Sequence, residues 1–169
     1  GVDTMLGGEG ADNFLYSATS DGATASDGST GVTTGDLIFD FTSGNDSFSF
    51  VNSAFGFGTT TGFLAEDSFV SVEDYTGTNS GISSGVAHFV FDPLSRTLYH
   101  DSDSGSNGYT VLASVQTSIA ATDVELINSD EVPNLSINRV AAVIDGPLST
   151  NEDTTVSGTF TTWTTDADG

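Results

Sequence analysis

Twenty-four Asp and Glu residues stand against two basic residues, Arg96 and Arg139, in a chain of 169 residues that carries a formal charge of -22. Like charges brought together on folding repel one another, so a compact state must disperse or neutralise these carboxylates. One solution is a solvated acidic surface. The other is a set of divalent cations, each adding two positive charges as the chain orders. Composition favours the cations. Disordered acidic chains are poor in aromatics and carry their charge in blocks, whereas aromatics reach 10% here, twelve of them Phe. The carboxylates are mostly Asp, spaced among Gly, Ser and Thr, and Asp suits tight turns and hard-cation loops.

The same composition removes several function classes. There is no Cys, hence no disulfide framework, no thiolate metal site and no cysteine nucleophile. So negative a surface repels the phosphates of nucleic acid. No apolar run approaches the length of a membrane span. The chain opens with Gly1 inside a repeat and stops at Asp166-Ala167-Asp168-Gly169 inside another motif, so both ends are expected to be cut.

Residues 1–16 repeat with a nine-residue period: Gly1 recurs as Gly10, Asp3 as Asp12 and Met5 as Phe14. Residues 7–15 fit the pattern G-G-x-G-x-D-x-U-x, where U is a large apolar residue, and residues 1–6 fit the end of a preceding unit. Gly adopts the unusual backbone of a tight turn, Asp places a carboxylate at its exit, and x-U-x forms a short strand with U in the core. Stacked turns then offer carbonyls and carboxylates to an ion, and Ca²⁺ takes six to eight such oxygens. The bland alternative is a chance glycine-rich turn. The pattern resembles the calcium-binding repeat of the RTX (repeats-in-toxin) family, which implies a parallel β-roll with Gly1, Asp3, Gly7, Gly8, Gly10 and Asp12 around calcium. Most stacking partners of these turns would lie upstream of Gly1.

The segment Asp36-Leu-Ile-Phe-Asp-Phe-Thr-Ser-Gly-Asn-Asp-Ser-Phe48 places Asp36 and Asp40 on one strand face by period-two alternation. That face would meet an ion, with Phe39 and Phe41 turned to the opposite core; the alternative is a surface strand with incidental Asp residues. The segment looks like the one that follows the repeats in serralysin-type RTX C-terminal modules. That resemblance makes Asp36 and Asp40 ligands of the last calcium sites and puts Asp46 in the next turn. Ser49 departs from it, since a second Asp usually stands there.

Leu98-Tyr-His-Asp101-Ser-Asp103-Ser-Gly105-Ser-Asn107 alternates Asp101, Asp103 and Asn107 as calcium-wrapping loops do, with Gly105 permitting the bend. It is similar to a late hairpin of the same modules, and it reads equally as an acidic turn without metal. No Glu completes an EF-hand. Asn151-Glu152-Asp153 and Asp166-x-Asp168-Gly169 resemble the opening of VCBS or cadherin-like repeats of giant bacterial adhesins.

Catalytic signals are weak. Gly81-Ile-Ser83-Ser-Gly85 fits G-x-S-x-G, but loop-forming residues flank it where a nucleophile elbow needs a strand and a helix. His88 and His100, near the ends of one hairpin, are close enough to approach each other but have no third metal ligand. The expectation is no enzyme.

The element pattern is all-β. Strands are expected at 36–41, 47–51, 65–75, 86–91, 97–100, 109–115 and 122–127, with a hairpin turn at Asp92–Arg96 and loops over 17–35 and 53–62. Residues 1–130 read as the end of a parallel β-roll with a capping β-sandwich-like domain, 131–150 as a linker, and 151–169 as the first strands of an Ig/cadherin-like β-sandwich. The resemblance implies a calcium-binding module of a secreted or surface-associated bacterial RTX adhesin, exported by a type I secretion apparatus and possessing a host or cell-surface ligand. It would be loose without calcium and ordered by it outside the cell. Two alternatives stand beside this: the secretion region of an exported hydrolase, and a carbohydrate- or ice-binding β-solenoid, for which regular T-x-T rows are missing.

Overall fold

A computed structural model of the chain describes residues 2–22, 25–26, 35–77, 87–103 and 109–131. Gly1, Gly105, Asn107, the Gly81–Gly85 segment and the expected module at 151–169 lie outside the described residues, as does all but the first residue of the expected linker. The strands are β1 (Thr4–Met5), β2 (Asn13–Tyr16), β3 (Ala25–Ser26), β4 (Asp36–Ile38), β5 (Ser47–Val51), β6 (Gly62–Phe63), β7 (Phe69–Ser71), β8 (His88–Asp92), β9 (Thr97–Asp101), β10 (Tyr109–Val115) and β11 (Val124–Ile127). Short 3-10 turns precede β7 and β11 and follow β2, and there is no α-helix among the described residues.

Two mixed sheets result. The first runs β1-β4-β10-β9-β8-β7 with β3 also on β10, and the second runs β2-β5-β11-β6. Three times the chain passes from the first sheet to the second, as β1 to β2, β4 to β5 and β10 to β11. Strands of successive passes pair in parallel, with Thr4 opposite Leu37, Asn13 opposite Ser47, Leu37 opposite Ser114 and Phe48 opposite Val124. The antiparallel hairpin β8–β9 extends the first sheet, and β6 closes one edge of the second.

The nine-residue repeat supplies the first pass. Its apolar positions Met5 and Phe14 are both buried, one in each sheet. Around them a single cluster joins Ile38, Leu98 and Leu112 of the first sheet with Tyr16, Phe48, Phe50 and Leu126 of the second. Phe41, Phe48 and Phe50 stack in series at centroid distances of 4.8 and 6.1 Å. Such aromatics bury more area than any other side chains and dominate core energetics. A bulge in β10 between Val111 and Ala113 lets that strand feed two clusters. Leu112 and Ala113 join the main core, while Val111 joins Tyr75, Tyr99 and Tyr109 on the other side of the sheet.

Several expectations need correction. The strand at 36–41 ends at Ile38, and it is Asp36 and Ile38 that face inward; Leu37 and Phe39 are exposed at 37% and 42%. The inward choice follows from what holds Asp36 inside, described below. The bend at 39–40 then breaks the alternation and re-aims Phe41 into the core. The expected loop at 17–35 contains β3, which pairs with β10. The strand-like stretches at 65–75 and 122–127 each begin as a 3-10 turn, leaving strands of three and four residues. His88 and His100 do not meet. His88 pairs with Asp101 and Phe89 with His100, so alternation puts the two imidazoles on opposite faces of the hairpin.

Candidate metal centre

The turns between the sheets carry the aspartates, and parallel pairing stacks the first turn on the second. Because Thr4 lies opposite Leu37, Asp36 comes beside Asp3; its Oδ1 accepts the Asp3 N–H at 2.9 Å and its Oδ2 accepts the Tyr16 hydroxyl at 2.8 Å. Burial pushes the Asp36 carboxyl up, and these two donors offset that only in part. Asp40 forks across the next two amides, with Gly7 N–H at 2.9 Å on Oδ1 and Gly8 N–H at 2.7 Å on Oδ2. Asp46 accepts the Asp12 N–H at 3.0 Å and, from its own turn, the Thr42 N–H at 2.7 Å. Asn45 donates to the carbonyl of Gly10.

Gly8 and Gly10 have φ of +98° and +124°, a region that favours glycine, and this folds the first turn back over Asp12. Gly7 is required for another reason: a Cβ there would lie 2.6 Å from Oδ2 of Asp12. The Asp12 carboxylate is therefore packed against the glycine turn. It is 4% exposed, and neither of its oxygens has a hydrogen-bond partner. Burial pushes its carboxyl above the usual range, and the neighbouring charges of Asp46 and Asp40 add to the shift. The Oδ1 of Asn13, the next residue, is also buried and unpaired. Buried acceptors without donors are costly, and native folds leave few of them.

Sequence reasoning missed Asp123, which is 1% exposed just before β11. It does for the third pass what Asp46 does for the second. Its carboxylate accepts the Ser43 hydroxyl at 2.6 Å and the Gly44 N–H at 2.9 Å from the preceding turn, and the Ala120 N–H at 2.8 Å from its own. The signal was an Asp immediately before a strand, the same placement as in the repeat. Ser49, at the position where the resemblance calls for Asp, is wholly buried and accepts the Asn13 side-chain amide at 2.8 Å. Its role is to join two passes.

Asp101 and Asp103 lie elsewhere, at the end of β9 in the antiparallel hairpin. Asp101 is wholly buried, accepting the Tyr75 hydroxyl at 2.7 Å and the Asp103 N–H at 3.1 Å. Burial, and then the Asp101 carboxylate, push the Tyr75 phenol far up, so Tyr75 stays a donor. The predicted metal ligands thus divide into three places: Asp3 with Asp36; Gly7, Gly8, Gly10 and Asp12 with Asp40 and Asp46; and Asp101 with Asp103.

Does the middle group suit a hard cation? The unpaired, buried Asp12 carboxylate beside Asp40 and Asp46, with the Asn13 carbonyl oxygen following, is the donor chemistry such an ion takes. Among the described residues no three His, Asp or Glu side chains converge into a finished cage. Backbone carbonyls of the glycine turn would have to complete the shell, and the oxygens of Asp40 and Asp46 keep further lone pairs for it. No family model matches the chain, and no curated protein matches it.

Proposed function

We propose that the chain is a calcium-binding structural module of a large secreted or surface-associated protein of the RTX kind, acting in adhesion and carrying no catalysis of its own. The observation that carries this reading is the Asp12 carboxylate, buried and without a donor on either oxygen, beside Asp40 and Asp46. An isolated carboxylate in such a place must be protonated or paired, and a chain of charge -22 with two basic residues has few cationic side chains to offer. Calcium supplies what the sequence withholds.

In this reading the three passes are the last turns of a parallel β-roll, and β6 to β9 form its cap. Asp12 with the glycine turn holds the ion. Calcium bound there neutralises the carboxylates that oppose compaction and orders the first pass against the second. The resemblance of the sequence at 151–169 to the opening of a cadherin-like repeat favours a parent adhesin delivered by type I secretion to the outside of the cell, where calcium is plentiful. The test is a calcium titration followed by far-ultraviolet circular dichroism and thermal melting, with magnesium as control. A rise in melting temperature and β signal with calcium alone supports the reading. An unchanged melt in a chain already folded in chelator sinks it.

A further inference from the structure

One stretch of chain, residues 62–71, closes the same end of both sheets. It leaves the second sheet as β6, passes through the 3-10 turn Glu66–Ser68 and enters the first sheet as β7; each strand is the outermost of its sheet among the described residues. Between this strap and the turn at 56–60 lies a partly open cavity of about 340 Å³. Small-molecule sites start at roughly that size. Phe57 and Phe63 supply rings to its lining, from the turn and from the strap. Phe57 is fixed, its ring parallel to that of Phe89 at 5.4 Å. Phe63 is 65% exposed, and Glu125 stands opposite it in antiparallel register, where cross-strand side chains are neighbours.

The lining excludes most ligands. It holds no charged side chain and only two hydroxyls, those of Thr60 and Ser68. A sugar would bury several hydroxyls there without partners, which is costly. An anion would meet no counter-charge. The chain has no Lys, and Arg96 stands in the β8–β9 turn, at the other end of β8 from the lining residue Ala87. The charges that adjoin the lining residues in sequence are all carboxylates: Glu66 and Asp67 on the strap, and Glu125 beside Leu126. What suits such a place is an apolar body that carries a positive charge.

We propose that this cavity binds a small organic cation, an ammonium ion joined to an apolar ring. The ring enters against Phe57 and Phe63, and the ammonium faces Glu125 and Glu66. The exposed face of Phe63 adds its own attraction for the cation. The site is separate from Asp12, which precedes β2 at the opposite edge of the second sheet, and it does not rest on the calcium reading.

Calorimetric titration of the full chain tests this, with calcium held constant and in excess. The probe is benzyltrimethylammonium, compared with benzyl alcohol and benzoate, which carry the same ring without the positive charge. The cation is expected to bind saturably and about tenfold more tightly than the alcohol, and benzoate more weakly than either. Phe63→Ala should weaken the cation about tenfold, and Glu125→Gln about threefold, the latter loss shrinking in high salt. Ala65→Trp, at an exposed position of the lining, should fill the cavity and abolish binding while circular dichroism stays that of the parent. Equal affinity for the cation and the alcohol would overturn the proposal, as would the absence of saturable binding. So would undiminished binding in Phe63→Ala and Ala65→Trp, which would put the ammonium elsewhere on the acidic surface.

Discussion

The carboxylate of Asp46 holds the backbone N–H of Asp12 at 3.0 Å, so the aspartate that ends one turn grips the aspartate that ends the turn stacked on it. Asp123 repeats the grip on the Ser43–Gly44 turn. These aspartates act as buried fasteners between passes, and the order of the turns depends on their charge being satisfied by N–H groups.

Removing a fastener should therefore cost stability whether or not calcium is present. Asp123→Ala leaves the Gly44 and Ala120 amides and the Ser43 hydroxyl without their acceptor, and Asp46→Ala does the same to Asp12 and Thr42. Each variant is expected to lose about 2–4 kcal/mol in chemical denaturation. Asp123→Asn, which keeps one carbonyl acceptor, should lose less. Equal losses for Asn and Ala would show that the carboxylate charge matters more than the count of acceptors.

Gly7→Ala probes Asp12 without touching its chemistry. The new Cβ meets the Asp12 carboxyl at 2.6–2.8 Å and forces it aside, while the Gly7 backbone itself requires no left-handed conformation. The expected cost in chelator is about 1–3 kcal/mol, as for other overpacked sites. The calcium-induced rise in melting temperature should shrink markedly. A full calcium response in this variant would remove Asp12 from the site.

The pH dependence separates two buried groups of opposite sign. The Asp12 carboxyl is raised in the folded chain, so the folded state holds its proton more tightly than the unfolded one; that contribution favours folding at low pH and is lost as pH rises through the folded value. His100 is lowered by burial, even though its Nε2 lies 2.8 Å from the Phe55 carbonyl. Its contribution is present above the ordinary histidine value of 6.5 and is lost as pH falls through the lowered one. Melting in chelator from pH 8 to pH 4 should show Asp12→Asn losing the acid-side gain relative to wild type. His100→Gln should lose the decline below pH of about 6. Calcium should suppress the Asp12 effect and leave that of His100.

Much of the fold was legible. Alternation located β5 and β10 to the residue, and Asp92–Arg96 reads as a turn because Asp92 caps it, accepting the Leu94 N–H at 2.8 Å, while Arg96 takes a φ of +54°. The repeat also announced that Met5 and Phe14 point inward. What the sequence hid were relations across distance. The parallel partners Asp3 and Asp36 are 33 residues apart, and Asp12 and Asp46 are 34 apart, with a polar stretch between that masks any period. Without that register, Asp40 reads as a strand residue rather than a clamp on Gly7. Phe39 was misplaced because hydrophobicity outvoted Asp36, whose partners Asp3 and Tyr16 make an inward carboxylate tolerable. Asp123 went unnoticed since one aspartate before a strand is unremarkable until Ser43 and Gly44 arrive beside it.

Both sheets are joined by strands from the last part of the described chain. β10 lies between β4 and β9, and β11 lies between β5 and β6. Until residues 109–127 are in place, the first sheet is three separate pieces, β1-β4, β3 and β7-β8-β9, and the second is two, β2-β5 and β6. Assembly is thus gated by residues 109–127. Loop closure over such separations is slow, and a chain interrupted before Tyr109 would leave β3, β4, β5, β6 and β9 with unpaired edges where the finished fold has two continuous sheets.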